Sequence, residues 1–216
     1  MPATHTAMHG ARGRTGKAAD ILGAARREFL RSGFGAVSMD AIAREAGVSK
    51  ATVYAHFSGK EELFGAVVSA MSQQYFGEFS ASELDPVDVA ASLTALARQF
   101  LDLLLSPDAI ALNRIIIAEV TRFPALGEVF WRAGPERTRV QIETFLRRAT
   151  ESGSLACPDP RAAADNFASL VRGEIHQRYL FGRQAKSGPA EIAAAVTTAV
   201  GIFLSAFGAS GNPVGG

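Results

Sequence analysis

Between residues 37 and 57 the chain reads VSMDAIAREAGVSKATVYAHF, and its polar side chains are of the kinds that grip a polyanion rather than the kinds that break bonds. Ser49 and Thr52 bring hydroxyls, Tyr54 a phenol, and Lys50, His56 and Lys60 donor or cationic groups suited to phosphate oxygens. Ala51 offers only a methyl, which admits close approach to base edges and can touch a thymine methyl. At about 3.6 residues per turn, Lys50, Ala51, Tyr54 and Ala55 fall on one side, with Thr52 and His56 at its flanks. Val53 and Phe57 fall on the other side. The plainer alternative makes Tyr54 and His56 ordinary half-buried residues and Lys50 a solvated surface lysine. It leaves the small outward residues without a packing reason.

Catalytic chemistry finds no foothold. The four histidines, His5, His9, His56 and His176, are scattered. No H-E-x-x-H, G-x-S-x-G or glycine-rich phosphate loop occurs. Cys157 is the only cysteine, so an intramolecular disulfide and a thiolate cluster are both excluded, and an inert half-buried thiol beside Pro158 is expected. Neither an enzyme activity nor a metal or cofactor is predicted.

A helix that reads DNA must be braced, and the flanking sequence supplies the brace. Ser38 caps a short helix running to Ala46, Gly47 turns the chain, Ser49 caps the next helix, and Gly59 ends the unit. Ile42, Ala43 and Val48 face Val53 and Phe57 as its core. Upstream, a helix over 17–32 carries Ile21, Leu22, Ala25, Phe29 and Leu30 on one stripe, and Gly33 stops it. Downstream, a longer helix over 60–79 carries Leu63, Phe64, Val67, Val68, Met71 and Tyr75. Further helices are predicted near 86–105, 107–121, 124–132, 135–152, 159–182 and 189–207. Prolines 107, 124, 135, 158, 160 and 189 stand at starts or breaks, where a missing N–H does least harm.

The expected fold is all-α: an N-terminal three-helix helix-turn-helix domain at 17–62, and a sensing and dimerisation domain at 63–207, a bundle of about six helices. A disordered basic arm at 1–16 and a disordered tail at 208–216 flank them. Charge follows the same division. Residues 1–60 carry a net +5 and the remainder −4 within a total of +1, which concentrates positive potential at one end. No run of about eighteen apolar residues and no secretory leader is apparent. The expected location is therefore the cytoplasm, with no membrane partner.

Over residues 17–68 the sequence resembles the DNA-binding domain of the TetR family of bacterial regulators. The resemblance is carried by AADILGAARREFLRSGFGAVSMDAIAREAGVSKATVYAHFSGKEELF, including Phe34 after the first glycine and the Tyr-x-His-Phe close at Tyr54 to Phe57. It implies DNA contacts from Ser38, Met39, Ser49, Lys50, Ala51, Thr52, Tyr54, His56 and Lys60, with Arg44 a weaker candidate. The stretches RIIIAEVTRFPALGEVFWRAGPERTRV and LVRGEIHQRYLFG resemble the AefR-type C-terminal domain found on some TetR-family repressors. The resemblance implies repression from a palindromic operator by a homodimer.

A dimer interface is expected on the last helix through Ile192, Val196, Val200, Phe203 and Phe207, with Ala193, Ala194, Ala195, Thr197 and Gly201 allowing close approach. A monomer burying this helix internally is the alternative. The middle helices carry more large apolar residues than a thin bundle requires, so a small hydrophobic effector is expected among Leu104, Ile116, Phe123, Trp131 and Phe145. Glu119, Arg122, Glu174 and His176 are its candidate polar contacts. A general DNA-compacting protein is the remaining rival, one that would bind any duplex with little preference.

Overall fold

The computed structural model describes residues 7–76, 83–183 and 186–209. Among them the chain forms ten helices: α1 (Ala7–Ala36), α2 (Met39–Glu45), α3 (Lys50–His56), α4 (Lys60–Phe76), α5 (Val89–Leu104), α6 (Pro107–Glu119), α7 (Pro124–Ala133), α8 (Pro135–Glu151), α9 (Pro160–Leu180) and α10 (Pro189–Phe207). The described residues contain no strand, only an isolated bridge between Leu155 and Gly208.

Local chemistry sets the boundaries. The Asp88 carboxylate accepts from the Ala91 N–H, and that of Asp159 from the Arg161 and Ala162 N–H groups, so each satisfies amide groups that have no intrahelical partner. Proline opens α6, α7, α8, α9 and α10, where its fixed φ suits the first turn. Two helices are interrupted, α1 at Gly33 (φ 76°, ψ 175°) and α9 at Gly173 (φ 44°, ψ −162°).

By packing the chain divides into two compact units. One comprises Met1–Ala70 with Arg114–Ala133, and the other Met71–Asn113 with Gly134–Gly216. The sequence places the boundary after residue 62. In the structure the end of α6 and all of α7 join the N-terminal helices instead. The core of this unit is aromatic. Phe29, Phe34 and Phe64 are fully buried, with ring centroids 5.2–5.9 Å apart, and Phe123 meets Phe34 edge-on at 5.3 Å. Each such ring contributes about 1.5–3 kcal/mol by leaving water.

The second unit packs α10 against α5 and α9, and α9 against α8. Leu93, Leu101, Phe145, Leu146, Phe167 and Phe203 lie at its centre, with Phe167 edge-on to Phe203 at 5.1 Å. By length and mean hydropathy, 1.8, α10 matches a membrane span, yet its stripe of Val196, Ala199, Val200 and Phe203 belongs to this core. Cys157 is buried here, and burial pushes its thiol pKa up.

Two terminal expectations change. The expected arm is helical from Ala7, because α1 extends that far; residues 1–6 lie outside the described residues. Of the expected disordered tail, Gly208 and Ala209 are tied back. The Ala156 N–H donates to the Phe207 carbonyl at 2.8 Å and the Ala209 N–H to that of Ser154 at 3.4 Å. Residues 210–216 lie outside the described residues.

Candidate nucleic-acid interface

The interface is built on two short helices and the turns before them. The Ser38 Oγ accepts the Ala41 N–H at 3.1 Å and the Ser49 Oγ accepts the Thr52 N–H at 3.1 Å, so both serines act as N-caps that start α2 and α3. Between them the Val48 N–H donates to the Ala43 carbonyl at 3.0 Å, closing the turn. Ile42, Ala43, Val53 and Phe57 are buried and Val48 is half-buried. Burial of Val53 on one face of α3 leaves the opposite face to solvent.

That outer face carries Lys50, Ala51, Tyr54 and Ala55, all exposed, with Tyr54 at 47%. Thr52 and His56 are half-buried at its flanks, Ser38 and Ser49 are exposed at the two caps, and Arg44 is exposed on α2. Thr52 and Ser49 share a hydroxyl hydrogen bond of 2.8 Å. Small side chains between a phenol and an ammonium give a surface that can enter the major groove and donate to phosphates.

Lys50 is engaged before any DNA arrives. Its Nζ stands 2.8 Å from Asp40 Oδ1 and 3.1 Å from Oδ2, and 6.0 Å from the Tyr54 ring centroid. The hydrogen bond and charge of Asp40 raise the lysine pKa. Both partners are more than half exposed, so a phosphate can replace the carboxylate at little cost. Sequence reasoning missed Asp40; its one signal is an acid in the first turn of α2, ten residues before Lys50.

Two expected contacts are corrected. The Met39 side chain is only 7% exposed and packs inward, because Met39 opens α2 on the side that faces the core. Lys60 turns its ammonium into the protein, where Nζ donates to the carbonyls of Phe34 and Val37, both at 2.8 Å, and lies 4.4 Å from the Phe34 ring centroid. Burial lowers its pKa, against the raising charges of Glu61 and Glu119. A lysine satisfied by two carbonyls and a ring is not a free phosphate ligand.

The expected effector residues divide between the two units. Ile116, Glu119, Phe123 and Trp131 belong to the first, and Leu104, Phe145, Glu174 and His176 to the second. The Glu119 carboxylate is already engaged, accepting the N–H groups of Phe34 at 2.8 Å and Gly35 at 2.5 Å. The Glu174 side chain is 82% exposed and ion-paired to Arg178 at 3.9 Å, and Trp131 is exposed. Arg122 stacks over the Phe123 ring at 5.1 Å. Phe145 is a fully buried core residue, and Leu104 is half-buried against the same core cluster. His176 is buried with Nε2 lacking any hydrogen-bond partner, and burial together with the Arg172 charge lowers its pKa.

The expected dimer stripe is corrected as well. Val196, Val200 and Phe203 are buried inside the chain's own core, Phe203 completely, with Ile192 and Phe207 packed against them. A side chain with no remaining exposure has nothing to give a second copy. The outward face of α10 instead shows Ala193, Ala194, Thr197, Thr198, Ser205 and Ala206 around Ile202, which is 51% exposed.

Comparison with known proteins agrees with this geometry. Residues 21–67 match the description "Bacterial regulatory proteins, tetR family", and residues 91–209 match "AefR-like transcriptional repressor, C-terminal domain". The HTH-type transcriptional regulator SrpR of Pseudomonas putida is 27% identical over 85% of this chain and 81% of its own length. A solved TetR-family regulator from Mesorhizobium loti is 30% identical, with a TM-score of 0.77 over 90% of this chain and 98% of that one. The flavonoid-responsive regulator FrrA is 35% identical, with a TM-score of 0.72 over the same shares.

Proposed function

Because the chain belongs to the TetR family of bacterial transcriptional regulators, a DNA-binding family without enzyme activity, we propose that it represses transcription from a palindromic operator and is released by a small hydrophobic effector. The observation that carries the reading is α3. Its inner residue Val53 is locked in the core while Lys50, Ala51, Tyr54 and Ala55 stand clear. Ser38, Arg44, Ser49, Thr52 and His56 complete the contact set around the groove and the adjoining phosphates.

A single copy of so short a helix reads few base pairs. A twofold dimer would place two in successive major grooves and roughly double the binding free energy. The outward face of α10 suits a second copy of this chain: its small residues let another helix approach closely, and Ile202 is an exposed apolar anchor. The proposed arrangement is a homodimer working on chromosomal DNA in the bacterial cytoplasm.

The effector class follows from the second unit and from one relative. Half-buried Leu104 offers apolar surface at the edge of the core, and buried His176 holds an unpartnered nitrogen that a ligand hydroxyl could satisfy. FrrA, a flavonoid-responsive protein, is 35% identical, so an apolar aromatic compound with hydroxyl groups is the proposed class. An effector that binds better to a DNA-incompetent arrangement weakens repression by that difference in affinity.

The direct test is enrichment of a random duplex library on the full-length protein, followed by footprinting of the enriched sequence upstream of its own gene. Expected is a palindrome with half-sites about one helical turn apart, protected less when a flavonoid is added. Enrichment of no sequence over bulk DNA refutes operator recognition. Undiminished protection across a panel of hydroxylated aromatics refutes the effector class.

A further inference from the structure

The turn that leads from the break in α1 at Gly33 to α2 is held by side chains far away in the sequence. Its N–H groups at Phe34 and Gly35 donate to the two carboxylate oxygens of Glu119, 85 and 84 positions downstream, at 2.8 and 2.5 Å. Its carbonyls at Phe34 and Val37 accept from Lys60. The backbone around the carboxylate is bare. A Cβ at Gly33 would stand 2.5 Å from Glu119 Oε1, and one at Gly35 would stand 2.9 Å from Oε2 and 3.1 Å from the Phe123 ring. Gly33 also has φ +76°, a region disfavoured for other residues.

The same segment is anchored twice more within this unit. Phe123 packs edge-on against Phe34, and Val129 of α7 stands 2.9 Å from where a Cβ on Gly65 of α4 would lie. The end of α6 and α7 are therefore built into the unit that carries α3. Three residues after Gly35 comes Ser38, which caps α2, and α2 is the helix that braces α3.

We propose that Glu119 is a positioning residue for DNA recognition: by fixing the α1–α2 turn it sets the direction in which α2 leaves, and so the pose of α3. Hydrogen bonds from two adjacent peptide N–H groups to one carboxylate are charge-assisted and directional, so they define an angle and not merely a contact. Glu119 touches no DNA in this scheme. The inference rests on DNA binding by α3 and not on any effector, so failure of the effector reading leaves it standing.

The test compares Glu119→Gln and Glu119→Ala with the wild type as full-length proteins. The probes are the duplex enriched from the random library and a scrambled duplex of the same composition. The glutamine keeps one acceptor but turns an NH2 towards the other peptide N–H. Expected is a loss of roughly tenfold in affinity for the enriched duplex, the scale of one charge-assisted bond. Binding to the scrambled duplex at low salt, which needs charge more than pose, should change less than about twofold. Amide exchange at Phe34 and Gly35 should accelerate. Adding Gly35→Ala should cost less in the Glu119→Ala background than in the wild type, because the colliding carboxylate is gone.

An unchanged ratio of enriched to scrambled affinity in Glu119→Gln overturns the proposal, whatever happens to the melting temperature. A carboxylate that only stabilises the fold would weaken both duplexes alike. Should Glu119→Ala fail to fold, the glutamine comparison alone decides.

Discussion

Replacing Lys60 by methionine separates two roles that a lysine at the start of α4 could play. Methionine preserves the length and apolar body of the side chain and removes the ammonium. The structure assigns that ammonium two donor contacts of 2.8 Å to the carbonyls of Phe34 and Val37 and a position 4.4 Å from the Phe34 ring centroid. Hydrogen bonds from a charged group contribute about 1.5–3 kcal/mol each, and a cation over a ring about 0.5–2 kcal/mol. Returning a partly buried lysine to water on unfolding offsets much of the sum. The net expected loss is about 2–3 kcal/mol, which for a chain of this size lowers Tm by roughly 5–10 °C. The second measurement is the salt dependence of DNA binding. A lysine on a phosphate contributes about one to the slope of log affinity against log salt. An ammonium held inside the turn contributes almost none. The expected result for Lys60→Met is therefore a clear loss in denaturant or thermal unfolding with an unchanged slope among the molecules that remain folded. A slope reduced by about one, with Tm unmoved, would refute the inward assignment and restore Lys60 to the phosphates.

Further outcomes are expected for α3, for α10 and for His176. Tyr54→Ala should weaken binding to the enriched duplex by roughly tenfold or more, and Lys50→Ala should lower the salt slope by about one; both should leave Tm unaltered, as anisotropy titrations and calorimetry can check. Ile202→Glu should yield monomers in sedimentation at micromolar concentration while circular dichroism stays helical. Phe203→Ala, by opening a void in the core, should cost about 3–5 kcal/mol of stability. His176 has its pKa lowered by burial and by Arg172, so the unfolded chain binds a proton more readily than the folded one. Stability should hold above the ordinary histidine pKa near 6.5 and fall as pH drops through the lowered one, a decline that His176→Gln should flatten in melts between neutral and acidic pH.

The helices were largely legible because their signals are local. Ser38, Ser49, Gly47 and the proline-led turns act over three or four residues, and the caps act where those residue types predict. The outward face of α3 was legible for the same reason, since Val53 and Phe57 leave it no other orientation. Contacts across long separations were not. Nothing near Glu119 indicates that its carboxylate ends on the Phe34 and Gly35 amides, and a glutamate among apolar residues reads equally well as a ligand contact. Lys60 misleads in a similar way, because a lysine at a helix start beside a basic element suggests phosphate until the carbonyls above it are seen. On α10 the error has a general cause. Val196, Val200 and Phe203 form the strongest apolar stripe, and the chain's own core claims such a stripe first, leaving alanine, threonine and Ile202 on the outward face.

Cys157 has a practical consequence. It is the chain's single sulfhydryl, sealed from solvent and made harder to ionise by its surroundings, and it is the thiolate that attacks thiol-directed reagents. A second cysteine engineered at exposed Ser58 would therefore take a spin label or fluorophore almost alone, without first stripping the natural one. In a twofold assembly such a label yields one distance, from recognition helix to recognition helix, and its change on adding a flavonoid would record the motion of release directly.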